Sequence, residues 1–172
     1  FYPYIIKNMI IFLKNKDTLQ IEDFYMKCCI GKNGKSKNKK EGDKKTPVGK
    51  FKLEHLYYRK DRVNLPKTFL KCIPITKTMG WCNDLKNPKK YNRLIKTNTN
   101  ISHEKLYRRD NKYDLLIPIK YNYKKPILGK GSCIFIHITK DFKPTLGCVA
   151  LKKKDFLIML KLINRETKIK IG

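Results

Sequence analysis

Ile134-Phe-Ile-His137-Ile-Thr-Lys-Asp-Phe-Lys-Pro-Thr145-Leu-Gly147-Cys148-Val-Ala-Leu151 is the stretch from which both the fold and the chemistry of this 172-residue chain are read. Its first part is an apolar run of strand-forming residues. With the two-residue period of a strand, Ile134, Ile136 and Ile138 face one way, and Cys133, Phe135 and His137 the other. A polar, proline-containing loop then carries the chain to Cys148, eleven residues after His137, and can fold the thiol back toward the imidazole. A free thiol has a pKa of about 8.5, and a neighbouring imidazole is one way to raise its thiolate fraction, so a Cys–His nucleophile is the chemical reading. The plain reading is a buried, inert cysteine beside a satisfied core histidine. Gly147 lets the backbone approach a substrate closely, and the amides of Gly147 and Cys148 are candidate donors to an oxyanion.

Outward from this stretch, the strand pattern dominates. Residues 5–13 and 24–30 are β-rich runs, the second ended by the turn Gly31-Lys-Asn-Gly34. Residues 35–46 read as a polar basic loop, and Thr46-Pro-Val-Gly49 as a turn leading into a short alternating strand. Residues 68–76 read as another strand, with Pro74 arguing for an edge or a bulge. Residues 77–113 show no period and read as one long irregular segment, a length that is usually functional or disordered. Its aromatic residues Trp81, Tyr91, Tyr107 and Tyr113 argue that it is ordered and packed. Residues 114–121 resume the strand pattern, and residues 167–171 close the chain as a strand. Only near Lys153 does a helical period begin, with Phe156, Leu157, Leu160 and Ile163 on one face. The expectation is a mainly β fold: one compact domain, a β-sandwich or mixed sheet, with one packed C-terminal helix.

Composition narrows the classes. Lys and Arg number 41 against 14 Asp and Glu, a formal charge of +27, while 41% hydrophobic residues exclude wholesale disorder. No apolar run approaches the roughly 20 residues of a membrane-spanning helix, and the first thirty residues lack the order of a secretory signal. The charge attracts polyanions without choosing among nucleic acid, anionic lipid and cell-wall polymer. The lysines are scattered, densest at residues 32–45 and 152–154, as on a solvated face. No nucleic-acid-binding motif is present, so no specific nucleic-acid partner is expected. Six cysteines, at 28, 29, 72, 82, 133 and 148, form no C-x-x-C pair, so no metal site is expected. Cys28, Cys29, Cys72 and Cys133 read as small buried hydrophobes.

The His137 strand followed by Pro144-Thr-Leu-Gly-Cys148-Val-Ala-Leu151 resembles the active-site signature of the L,D-transpeptidase (YkuD-type) catalytic domain. Upstream segments are similar to one branch of that family in the same order: Gly31-Lys-Asn-Gly34, Glu41-Gly-Asp-Lys-Lys-Thr46-Pro-Val-Gly49, Gly80-Trp-Cys-Asn-Asp84, Tyr91-Asn-Arg93 and Ser102-His-Glu-Lys-Leu-Tyr-Arg108-Arg-Asp110. The resemblance is strongest over residues 20–172. It implies a largely β fold around a cleft and action on peptidoglycan stem peptides, with Cys148 as nucleophile, His137 as general base and the Gly147 and Cys148 amides as oxyanion donors. It also implies either L,D-transpeptidase or L,D-carboxypeptidase outcome, without a cofactor, in the periplasm or cell envelope. Thr145, Trp81, Asp84, Arg93 and Ala150 are the further candidates for substrate contact. Two residues after the cysteine, where the wider family usually has Arg or Asn, stands Ala150; Lys152 or Arg93 is the candidate to take over that role. A non-catalytic basic module that binds an anionic polymer is the second functional class.

Overall fold

The computed structural model describes residues 8–172. Fifteen strands and one helix follow in chain order among them: β1 (Ile10–Leu13), β2 (Thr18–Ile21), β3 (Phe24–Cys29), β4 (Lys35–Ser36), β5 (Thr46–Pro47), β6 (Gly49–Lys52), β7 (Leu56–Tyr58), β8 (Cys72–Pro74), β9 (Met79–Cys82), β10 (Leu94–Lys96), β11 (His103–Lys105), β12 (Leu115–Pro118), β13 (Phe135–Ile138), β14 (Val149–Leu151), α1 (Lys153–Leu162) and β15 (Lys168–Ile171). The fold is mostly β, as expected. The start of the first predicted strand, residues 5–7, lies outside the described residues. No helix among the described residues is long and apolar enough to cross a membrane.

Ten strands form one curled mixed sheet in the order β6-β15-β1-β2-β3-β14-β13-β12-β7-β8. Three of its pairings are parallel, β1 with β15, β13 with β14, and β7 with β8. Pro74 lies on β8, at one edge of the sheet, where its missing N–H costs no ladder bond. Inside the curl lies the main core, built from alternate residues of the strands, among them Ile11, Leu19, Met26, Ile136 and Ile169, together with Phe156, Met159, Leu160 and Ile163 from α1 and its C-terminal end. The helix thus closes the core through the face its period predicted.

Residues 77–113 depart from the expected irregular segment. They contain the three-stranded sheet β10-β9-β11, whose strands are only three or four residues long. Strands that short, separated by polar loops, leave no alternation for the eye to detect. This small sheet traps a second apolar cluster against the outer face of the large one: Tyr57, Ile75, Trp81, Leu106, Tyr113, Leu116, Phe135 and Cys148. β13 therefore serves two layers. Ile136 and Ile138 enter the main core, while Phe135 enters the second cluster and His137 lies on the same side. The faces are those read from the sequence.

Candidate active site

β13 and β14 lie side by side in parallel, with His137 opposite Ala150. The register continues from Ala150 to Cys29 on β3, and from His137 to Leu116 on β12. Directly opposed residues share a face of the sheet, so Cys29, Ala150, His137 and Leu116 form one row. Cys148, two residues before Ala150, has its side chain on that same face. Together Cys148, His137 and Ala150 line a groove of about 620 Å³ whose walls come from the 39–44 segment, from Glu104, Arg108, Lys112 and Tyr113, and from the 139–146 loop.

The imidazole is held in one tautomer. His137 Nδ1 lies 2.9 Å from the Ile138 carbonyl oxygen, an acceptor, so Nδ1 carries the proton and Nε2 keeps the lone pair of a base. Tyr113 packs edge-on to the ring with centroids 5.4 Å apart. Burial pushes the imidazole down to about 4, with Lys112 and Arg108 adding to the effect, so the ring is neutral near pH 7.

The thiol is likewise neutral. Among the described residues its two hydrogen bonds run to the backbone: Cys148 Sγ donates to the Cys133 carbonyl at 3.2 Å and accepts from the Phe135 N–H at 3.4 Å. Burial pushes the thiol up to about 12. Against the expectation that the imidazole raises the thiolate fraction, burial leads both shifts and favours the neutral form of each group.

The loop before Cys148 is pinned from both sides. Thr145 Oγ1 donates to the Cys148 carbonyl at 2.6 Å and accepts from the Gly147 N–H at 3.1 Å. The fully buried Thr46 donates from Oγ1 to the Gly147 carbonyl and accepts from the Gly31 N–H, both at 2.9 Å. One of the two amides expected to receive an oxyanion, that of Gly147, is thus already bonded to Thr145. Gly147 has φ +141°, and a Cβ there would lie 2.9 Å from the Lys45 carbonyl oxygen. Gly147→Ala is expected to cost about 1–3 kcal/mol of backbone strain, with a further loss from the clash. Chemical denaturation will show the midpoint falling accordingly, and an unchanged midpoint would mean the loop is free to rearrange.

Of the other predicted contacts, Thr145 and Ala150 line the groove, while Trp81, Asp84 and Arg93 do not. Trp81 is 3% exposed; its ring meets Phe135 edge-on at 5.5 Å, its Nε1–H donates to Asn92 Oδ1 at 2.8 Å, and together with Arg93 it lines a recess apart from the groove. Asp84 accepts from the amides of Lys86 and Ser102 and so ties its own turn to the start of β11. Arg93 lines a separate recess with Glu54, His55 and Tyr123. Lys152 lies over the Phe142 ring at 5.6 Å. Neither Lys152 nor Arg93 reaches the groove, so neither takes the place of the side chain that Ala150 lacks. The basic residues that do line it are Lys39, Lys44, Arg108, Lys112 and Lys143. Three of these carry acidic partners: Lys39 with Asp43 at 2.6 Å, Arg108 with Glu104 at 3.0 Å and Lys143 with Asp141 at 3.4 Å.

Three structural contributors escaped the sequence reading. Thr46 stood in a segment read as a turn and quoted for the resemblance, with no role of its own. Tyr113, which donates to Glu104 Oε1 at 3.1 Å, was one aromatic among several. Glu41 accepts from the Tyr91 hydroxyl and, at 2.8 Å, from Ser132, and so ties the 39–44 wall to the strand approach. For Glu41 and Thr46 the signal on offer was the resemblance of the segment that holds them both.

Comparison with known proteins adds the following. The family model described as the L,D-transpeptidase catalytic domain (YkuD) matches residues 7–171. Among solved structures, the helical cell shape determining protein Pgp2 from Campylobacter jejuni is similar at 18% identity with a TM-score of 0.51, over 95% of this chain and 47% of that one. An L,D-transpeptidase from Mycobacterium smegmatis has 11% identity and a TM-score of 0.42, over 96% of this chain and 58% of its own. Mycobacterium tuberculosis L,D-transpeptidase 1 has 10% identity and a TM-score of 0.38, over 95% and 59%. The chain therefore spans between about half and three-fifths of the solved proteins it matches. No curated protein sequence matches it.

Proposed function

The chain belongs to the L,D-transpeptidase catalytic-domain family, and from that premise we propose that it is a peptidoglycan L,D-transpeptidase acting through a thioester on Cys148. The observation that carries the reading is the groove floor shared by Cys148 and His137, with the imidazole fixed as a Nε2 base. In the proposed first step, His137 Nε2 takes the thiol proton as Sγ attacks the carbonyl joining the third residue of a tetrapeptide stem to its terminal D-alanine. The tetrahedral oxyanion is received by the Cys148 N–H, and by the Gly147 N–H once it leaves Thr145. Collapse breaks the C–N bond, the imidazolium returns its proton to the departing amine, and D-alanine leaves a thioester behind. In the second step His137 deprotonates the incoming nucleophile. An amine of a neighbouring stem yields a 3→3 cross-link, and water yields the tripeptide of an L,D-carboxypeptidase.

Thr145 and Ala150 are the proposed substrate-facing residues beside the nucleophile, and the cell envelope or periplasm is the proposed site of action. A role in setting cell shape is part of the same proposal, after the description attached to the Campylobacter structure. The test is intact-mass spectrometry of the protein mixed with a tetrapeptide muropeptide. The expected result is an adduct equal to the substrate minus D-alanine, mapping to Cys148, with stoichiometric D-alanine in solution. D-alanine release without such an adduct would overturn the thioester route.

A further inference from the structure

The outer face of the large sheet carries the groove on its β3-β14-β13-β12 portion, and the same face continues across β2, β1, β15 and β6. There the register assembles a second feature. Lys170 on β15 is opposite Lys50 on β6, and Lys168 is opposite Lys52, so four lysines form a block of two cross-strand pairs. Lys170 is in turn opposite Phe12, Phe12 opposite Gln20, and Gln20 opposite Tyr25. The alternating residues Ile11, Ile21, Met26 and Ile169 point into the core, so this row must point out. Phe12 is 36% and Tyr25 65% exposed, although a strand has polar residues to offer at such positions.

Like charges placed directly opposite each other across strands destabilise a sheet. Among the described residues only Lys52 of the four lysines has an acidic partner, Glu166 at 3.6 Å, and that pair is half-exposed and worth little. The Phe12 face and the Tyr25 face, over which Lys14 Nζ lies at 5.9 Å, stand beside a largely uncompensated block of ammonium groups and are complementary to a chain that alternates rings with anions. From Lys170, four strand spacings of about 4.8 Å, roughly 19 Å, separate β15 from β14 and its nucleophile. Along β3, Tyr25 leads by two-residue steps through Lys27 to Cys29, which is opposite Ala150 on the groove floor.

We infer that this lysine and aromatic face is a second, non-catalytic docking surface for the peptidoglycan polymer itself, with stem-peptide carboxylates on Lys50, Lys52, Lys168 and Lys170 and sugar rings on Phe12 and Tyr25. The choice of polymer rests on the function proposed for the groove. A strand laid along this face reaches the groove without leaving the sheet, so the surface holds an insoluble substrate beside Cys148 and contributes nothing to the turnover of a small soluble one.

The experiment is co-sedimentation of the protein with purified sacculi at low and high salt, with a single-stranded oligonucleotide as competitor and D-alanine release from a soluble tetrapeptide measured in parallel. The variants are Lys50→Glu with Lys170→Glu, which keeps a like-charged pair, and Lys170→Glu alone, which creates an opposite-charged pair with Lys50 and so guards against loss of the fold. Affinity for sacculi is expected to fall by about tenfold or more in the double variant and less in the single one. High salt should weaken the wild type to a similar extent, and release from the soluble tetrapeptide should stay unchanged. Sacculus binding indifferent to both variants and to salt would overturn the surface, as would an oligonucleotide that binds the face in preference to sacculi. Loss-free sacculus binding by a wild type that releases no D-alanine would overturn the catalytic reading and leave the surface standing.

Discussion

Cys148→Ala is expected to lower D-alanine release by at least about 10⁴-fold, since deleting the nucleophile of a catalytic constellation leaves only binding and oxyanion contacts to act. The fold should survive. The side chain is small, but its sulfur accepts the Phe135 N–H, and leaving that buried donor unpaired costs about 1–3 kcal/mol. Cys148→Ser separates the two effects. A hydroxyl can keep both backbone bonds, so most of the lost stability should return, while release stays low because the alcohol is far harder to deprotonate than the thiol. Thermal melts together with a D-alanine assay read this out. A folded Cys148→Ala protein with release within tenfold of the wild type would move the chemistry to another residue.

The next largest effect is expected for His137→Gln, a loss of about 10²–10⁴-fold in release, the usual worth of a positioned general base. Its signature is in the pH dependence. The ring falls from an ordinary value of 6.5 to about 4 in the folded protein because burial disfavours the cation. The folded state therefore favours the neutral ring. The stability this contributes is complete above pH 6.5 and is lost as pH falls from 6.5 through 4, a total of about 3 kcal/mol by linkage. His137→Gln should flatten that part of the acid-unfolding curve. In the wild type, the acid limb of kcat/KM governed by this ring should lie near 4; a limb near 6.5 that vanishes in the variant would mean that the imidazole is solvated in the working enzyme.

Much of this was legible in the residues. The alternation across residues 133–138 placed His137 on the face opposite the isoleucines, and the helical period beginning at Lys153 found α1 because four apolar residues share its face. Pro74 announced an edge because it lacks a ladder donor. The three-stranded sheet could not be seen, since strands of three or four residues carry too little alternation to register against polar loops. Trp81 illustrates another limit. An aromatic residue in a long polar segment looks the same whether it lines the groove of Cys148 or a recess apart from it, and only the packing of Trp81 against Phe135 and Asn92 places it in the second. The protonation states were misread for a related reason: sequence shows which groups are neighbours, whereas the depth at which they lie decides whether pairing outweighs lost hydration.

The double duty of β13 has a consequence for how the protein fails. Because the strand that bears the base also lends its alternate side chains to the central core, the base has no hinge of its own and cannot melt ahead of the whole. Warming should extinguish turnover and native structure along a single curve, and a population that is still folded yet has lost its reactive pair should never accumulate.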